Sequence, residues 1–251
     1  VIKRLFEQTG CMPGRDAFIE LLRQNGLMVQ IKRRRHYKTT DSSHHYHKYE
    51  NLIKEIVPSR PNEIWVSDIT YVETEEGVCY LSLITDAYSH MIVGWAVGPT
   101  LETAYPLEAL RMALSTIDDE TAAMLIHHSD RGCQYSSQAY VQELKRHNIS
   151  ISMTQSGDPL ENAVAERANG ILKTEWLYKM TIPTREICKQ ELERIILFYN
   201  TERPHMSIGM QTPSVAHMQT GEQKRCWKNP WENQVAAPPD KVFLAMRHCL
   251  K

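Results

Sequence analysis

The sequence predicts an α/β fold, a mixed five-stranded sheet flanked by helices, with a small basic helical segment in front of it. Three observations carry this. Three β-rich runs follow one another on short connections between residues 64 and 97. Two further strand-like runs come after them, each preceded by a helical pattern, giving the order βββαβαβ. The hydrophobic content of 42% over 251 residues is that of a chain able to bury one sizeable core, not of a disordered one.

Ile64 to Val72 is rich in β-branched and aromatic residues and reads as the first strand. Glu75-Glu76-Gly77 turns the chain into a second strand, Val78–Thr85. Asp86 to Ser89 turns it into a third, Met91–Val97. Connections this short make an antiparallel meander. Thr100 is the expected cap of a helix from Leu101 to about Ser115, with Leu107, Leu110 and Leu114 on one side. Met124–His128 is short and almost wholly apolar at its start, as suits a strand covered on both faces. Ser137–Arg146 reads as a helix, Ile149–Met153 as the fifth strand, Thr154–Leu160 as a loop, and Asn162–Tyr178 as a helix. A last helix runs from Arg185 to Tyr199 with Ile187, Leu192, Ile195, Ile196 and Tyr199 inward, broken by Asn200–His205.

The expected division is a basic helical segment and linker over 1–57, a core over 58–180, and a C-terminal helix with an extended tail over 181–251. In the first part, Phe18, Leu21 and Leu22 have helical spacing before an Asn25-Gly26 stop. The run Ile31–Lys38 is strongly cationic, and Arg33, Arg34, Arg35 and Lys38 are candidate DNA-backbone contacts. His44, His45 and His47 lack zinc-finger spacing and read as incidental to a linker. The overall net charge is −1, but residues 1–60 carry +6, residues 61–180 carry −10, and residues 181–251 carry +3. An acidic middle between basic flanks fits a metal-dependent enzyme acting on nucleic acid, and equally fits ordinary surface variation. The six cysteines form no C-x-x-C pair, which argues against a zinc site or a disulfide framework and for reduced thiols in the cytoplasm. No apolar run approaches the length of a membrane helix.

Asp68, Asp130 and Glu166 are the candidate chemistry. An aspartate inside an apolar strand needs a cation or hydrogen bonds to offset desolvation. Asp68 alone reads as well as an edge residue or a satisfied one. Asp130 ends the fourth strand, where open sheets place functional groups, and Glu166 lies one turn into a helix that can cross the sheet. Three carboxylates give hard oxygen ligands, which select Mg²⁺ or Mn²⁺ and suit phosphoryl transfer. Gly170 leaves room on the Glu166 helix for a close approach. Lys173, seven residues after Glu166, reads equally as a phosphate contact or as a solvated lysine.

These residues sit in recognisable text: Trp65-Val-Ser-Asp68-Ile-Thr-Tyr71; His128-Ser-Asp130-Arg131-Gly-Cys133-Gln-Tyr135; Glu161-Asn162-Ala-Val-Ala-Glu166; Leu172-Lys-Thr-Glu175; and Tyr199-Asn200-Thr-Glu-Arg203-Pro204-His205. From about 58 to 217 the chain resembles the catalytic protein of bacterial insertion sequences of the third family, whose core is that of retroviral integrases. Thirty-five residues separate Asp130 from Glu166, as that pattern requires. The resemblance implies a ribonuclease H-like fold, a catalytic and metal-binding triad of Asp68, Asp130 and Glu166, and Mg²⁺ or Mn²⁺ as cofactor. It implies nicking at the element's ends followed by attack of the freed 3′-hydroxyl on another phosphodiester. Its implied partners are the terminal inverted repeats, target DNA, further copies of the chain on DNA, and a helix-turn-helix protein from the upstream frame. Arg131, Asn162, Lys173, Arg203 and His205 join the candidate DNA contacts, Arg203 and His205 alternatively as structural support. Cys133 and the Gly157–Asn162 text depart from many relatives without removing a carboxylate. Two rival readings are a nuclease of the same fold without strand transfer and a domesticated DNA-binding protein.

Overall fold

The computed structural model describes residues 14–28, 44–155 and 159–226. The basic run with Arg33, Arg34, Arg35 and Lys38, the loop residues 156–158, and the tail from 227 onward lie outside the described residues.

A five-stranded sheet in the order β3-β2-β1-β4-β5 organises the chain. Its strands are β1 (Ile64–Thr74), β2 (Gly77–Asp86), β3 (Ile92–Gly98), β4 (Ile126–Ser129) and β5 (Ser150–Met153). The first three form the expected antiparallel meander, with Asp68 opposite Leu83 and Ser82 opposite Ala96. β4 adds parallel to β1 and β5 parallel to β4. The longest strand is therefore central, and both of its faces are covered.

The helices are α1 (Arg15–Gln24), α2 (Ala104–Leu114), α3 (Asp119–Ala123), α4 (Cys133–Ser136), α5 (Gln138–Arg146), α6 (Ala163–Glu175), α7 (Arg185–Thr201) and α8 (Pro213–Ala216). The period of two along β1 sorts its side chains into two layers. Trp65 and Ile69 point into one cluster with Ala109, Leu110 and Ala113 of α2 and Tyr140 and Leu144 of α5. Val72 on the alternate face joins Leu81, Leu83, Ile92, Ile171 and Leu172 of α6, and Leu192, Ile195 and Ile196 of α7. Ile64 and Val66 continue this second face against Ala165 of α6. Each fully buried aliphatic or aromatic side chain in these layers contributes about 1.5–3 kcal/mol. α2 can lie so close to β3 because Gly94 has no Cβ; one built there would stand 2.2 Å from the Ala109 carbonyl oxygen.

The structure moves several expected boundaries. The helix foreseen from Leu101 begins at Ala104, capped by the backbone of Thr103 and not by Thr100. Pro106 explains this: without an N–H it is accommodated only in a first turn. α3 was not foreseen, although Asp118 caps it by accepting from the Thr121 N–H at 2.8 Å. Ile187, expected inward, is exposed, and Cys188 takes the inward position. α7 runs through Asn200, whose amide accepts from the Ile92 N–H at 3.0 Å and donates to the Ile92 carbonyl at 2.9 Å. This helix shares a core with β2 and β3, so packing crosses the division expected at residue 180. α1 forms where periodicity placed it and has no buried residue.

Candidate active site

The parallel pairing of β1 with β4 builds the centre of the site. Ser67 stands opposite Ser129 in that register; Asp68 follows within β1, and Asp130 is the first residue past β4. In-register neighbours on parallel strands project to the same side, so the two carboxylates face one another across the strand ends. By the alternation along β1, that side is the one covered by α6, which carries Glu166. This is also the carboxyl end of the parallel strands, where open sheets leave a crevice.

Each aspartate is held. Asp68 Oδ1 accepts from the Ile69 N–H at 2.9 Å and Oδ2 from Asn169 Nδ2 at 2.7 Å. Asp130 Oδ1 accepts from the Gly132 N–H at 2.9 Å. A Cβ at Gly132 would lie 2.9 Å from that same oxygen, so a larger residue there would have to displace the Asp130 carboxylate. Burial, followed by the neighbouring charge of Asp130, pushes the Asp68 carboxyl up to about 7, with a further upward push from Glu166. Two facing carboxylates, one of them desolvated, are what a divalent cation would relieve.

Glu166 is exposed in the first turn of α6. Its charge reaches Asp68, yet among the described residues no group of three or more histidine, cysteine or acidic side chains closes into a metal-holding cluster. The arrangement thus brings Asp68 and Asp130 together and leaves Glu166 standing back. The donor set fits a hard cation in kind, oxygen only, with Glu166 as the side chain that has furthest to come.

Behind the aspartates lie two buried histidine relays. His127 bonds Ser67 Oγ at 2.7 Å and the Tyr140 hydroxyl at 2.9 Å. His128 Nδ1 bonds Ser152 Oγ at 2.8 Å, and its Nε2–H donates to the Glu161 carbonyl at 3.0 Å. Ser152 Oγ in turn accepts from the Leu52 N–H at 2.9 Å. Burial holds His127 down to about 3 and His128 to about 4, so both are neutral at pH 7. His128 thereby ties the stretch leading into α6 to the sheet, and Glu161 Oε2 accepts the Gln155 N–H at 2.7 Å on the other side of the loop.

The integrase core domain family matches residues 58–159 and again 147–213. The insertion element IS600 uncharacterized 31 kDa protein of Shigella sonnei is 35% identical over 82% of this chain and 76% of its own length. The chain belongs to the integrase-core transposases of bacterial insertion sequences. Transposase InsF for insertion sequence IS3A of Escherichia coli is 34% identical over 76% of this chain, and the match spans 66% of InsF. A chain of the simian T-cell lymphotropic virus intasome, solved in complex with PP2A regulatory subunit B56 gamma, superposes with a TM-score of 0.54 at 18% identity. It covers 91% of this chain and 78% of that one, and shows the shared ribonuclease H-like fold.

In this transposase the remaining predicted contacts are placed unevenly. Lys173 lies on the α6 face turned to β1, with Nζ 3.9 Å from the centre of the Tyr71 ring. Gly170 has open space where a Cβ would sit, so that face of α6 is free to be approached among the described residues. Arg131 donates from Nε to the Thr154 carbonyl at 2.6 Å, and its own carbonyl accepts from His44 Nε2 at 2.8 Å. This contact gives His44, read as incidental, a place beside the aspartate loop. Asn162 is buried and donates from Nδ2 to the Ser67 carbonyl at 3.0 Å. Arg203 spends Nε and Nη2 on Glu175, at 2.8 and 2.6 Å, and Nη1 on the Pro204 carbonyl. His205 is buried between a stacked His90 and the edge of Tyr199. For these last two residues the geometry supports the structural reading: their hydrogen-bonding and packing partners are inside the protein.

Sequence reasoning missed the contact of Asn169 with Asp68 and the two histidine relays. An asparagine mid-helix, against its propensity, was the available signal for the first. The His127-His128 pair, polar in a strand with both faces covered, was the signal for the second.

Proposed function

We propose that this chain catalyses divalent-metal-dependent cleavage at the ends of its insertion sequence and joins the freed 3′-hydroxyl to a second phosphodiester. The observation that carries this is the placement of Asp68 and Asp130 directly after the Ser67–Ser129 pair that ends the β1–β4 register, with Asp68 so poorly offset that burial and its neighbour lift it to about 7. Such a pair is costly to keep unless it serves a cation.

Asp68, Asp130 and Glu166 would hold Mg²⁺ or Mn²⁺, which would supply an activated attacking oxygen and charge stabilisation for the leaving one. The chain's own residues do the rest. Asn169 and the Ile69 N–H orient Asp68, and the Gly132 N–H orients Asp130. Lys173, on the same face of α6 as Glu166, is assigned to the phosphate backbone, as is Arg131, which follows Asp130 in the loop after β4. The basic run at Arg33, Arg34, Arg35 and Lys38 is assigned to DNA outside the site, and the terminal inverted repeats, target DNA, copies of this chain and an upstream-frame protein are its proposed partners.

The test is a gel assay with a terminal-repeat duplex carrying a labelled 3′-hydroxyl end. Metal-dependent joined products that disappear in Asp68→Asn, Asp130→Asn and Glu166→Gln support the proposal. Short fragments without joined products identify a nuclease of the same fold. Undiminished joining by the triple variant refutes it.

A further inference from the structure

Glu166, Asn169 and Lys173, at spacings of three and four residues, share one face of α6, and Asn162 is the residue that caps its N-terminus. The cap and that face meet β1 at three successive places. Asn162 Nδ2 donates to the Ser67 carbonyl, Asn169 Nδ2 donates to Asp68 Oδ2, and Lys173 covers the Tyr71 ring. Glu166 lies between the capping asparagine and Asn169 along the chain. Rotation of α6 about its axis, or sliding along β1, would break both amide contacts, so the asparagines fix the direction in which Glu166 projects.

Both amides are half used. Their Nδ2 groups are engaged, which settles the orientation of each amide: only nitrogen can donate to the Ser67 carbonyl or to the Asp68 carboxylate. Their Oδ1 atoms are buried and, among the described residues, have no hydrogen-bond partner. The two residues are only 6% and 5% exposed. A buried carbonyl oxygen without a donor costs about 1–3 kcal/mol. Here there are two, one at the cap of the helix that carries Glu166 and one on its face, both on residues bonded to the strand that carries Asp68. The waters of a hydrated cation would supply the missing donors, since Mg²⁺ retains several of them.

Resting on the proposed metal-dependent reading of this site, we propose that Asn162 and Asn169 are positioning residues. They clamp the Glu166 helix to the strand of Asp68 and present their carbonyl oxygens to the waters of a hydrated divalent cation. Asn169 has the larger part, because it also aims Asp68. Neither residue touches the scissile phosphate in this account; both act through the carboxylates and the ion's hydration shell.

The test is calorimetric titration of Mn²⁺ into the full chain, with thermal unfolding measured alongside. Asn169→Leu keeps the branching of the side chain and removes the amide. It is expected to raise the Mn²⁺ dissociation constant about 10- to 100-fold, with Asn162→Leu giving a smaller rise. In strand cleavage the half-saturating Mn²⁺ concentration should rise in parallel, while the rate at saturating Mn²⁺ recovers toward that of the unaltered chain. An altered melting temperature with an unchanged Mn²⁺ constant would make the residues merely structural and overturn the proposal. Asp68→Asn separates the two levels. If it abolishes Mn²⁺ binding and Asn169→Leu does not weaken it, the positioning role fails alone. If it leaves Mn²⁺ binding intact, the metal reading of the site fails, and this proposal with it. Should the leucine variants not fold, the side-chain amide signals of ¹⁵N-asparagine-labelled unaltered chain replace them: those of Asn162 and Asn169 are expected to shift on Mg²⁺ addition, and unmoved signals overturn the proposal.

Discussion

Two aspartates near the middle of the sheet have opposite surroundings. Asp86, at the end of β2, is fully buried and well supplied with donors. Its Oδ1 accepts the Ser89 N–H and hydroxyl, both at 2.7 Å, and its Oδ2 accepts the Asn62 N–H at 2.7 Å. His217 Nδ1 stands 3.8 Å away. Asp68, on the neighbouring strand, has one backbone N–H and one amide, and faces another carboxylate. Asp86 is fully buried and Asp68 half-buried, but what sets the two apart chemically is the supply of donors. Asp86 is closed around protein groups and locks the turn between β2 and β3. Asp68 is left short of a positive charge, and that shortage is the mark of a site that expects one.

The contrast is sharpest in the effects of removing each group. Asp68→Asn should lower strand cleavage by about a thousandfold, the equivalent of about 4 kcal/mol of lost transition-state stabilisation. Its resistance to urea should be unchanged or increased, because a facing pair of like charges has been broken. Asp86→Ala should do the reverse. It orphans three buried donors and should cost about 3 kcal/mol or more in urea unfolding, with metal binding by the remaining folded molecules unaffected. A destabilised Asp68→Asn, or an Asp86→Ala of full stability, would erase the distinction.

Acid reports on the structural side of the comparison. Burial holds both His127 and His205 down to about 3. In the unfolded chain each takes up a proton below about 6.5, while in the folded chain each stays neutral until about pH 3. The stability they contribute is thus complete above pH 6.5 and is lost as the pH falls through the window from about 6.5 to 3. Between pH 7 and pH 5 urea unfolding should show a loss of about 2 kcal/mol for each. His127→Phe should remove its share of that pH dependence. A smaller effect is expected at Arg203, whose two-pronged contact with Glu175 is partly open to solvent. Arg203→Leu should cost about 1–2 kcal/mol and leave the Mn²⁺ requirement of cleavage unchanged. A raised Mn²⁺ requirement would move Arg203 to the working side of the molecule.

What could be read in the sequence was whatever strand alternation and strand ends determine. Asp68 lies within an apolar alternation and Asp130 closes an apolar run, so their meeting needed only one assumption, that β1 and β4 are neighbours, and the register met it. Asn169, Asn162 and Arg203 could not be read that way, because each owes its role to a partner brought near by tertiary packing: Asp68 is 101 residues from Asn169, and Glu175 is 28 from Arg203. Local signals were also overridden. Thr100 looks like a cap, but Pro106 dictates where its helix can begin, and Ile187 has the periodicity of a core residue, but at that turn of α7 Cys188 faces the core instead.

The central claim is that Asp68, Asp130 and Glu166 together hold the ion that cleaves DNA. Anomalous diffraction from crystals of the chain with a terminal-repeat duplex and Mn²⁺ tests it directly. The account predicts a manganese peak between the Asp68 and Asp130 carboxylates, with Glu166 drawn in as a further ligand. Manganese bound elsewhere, or no peak between those aspartates in crystals that still cleave their DNA, would contradict it.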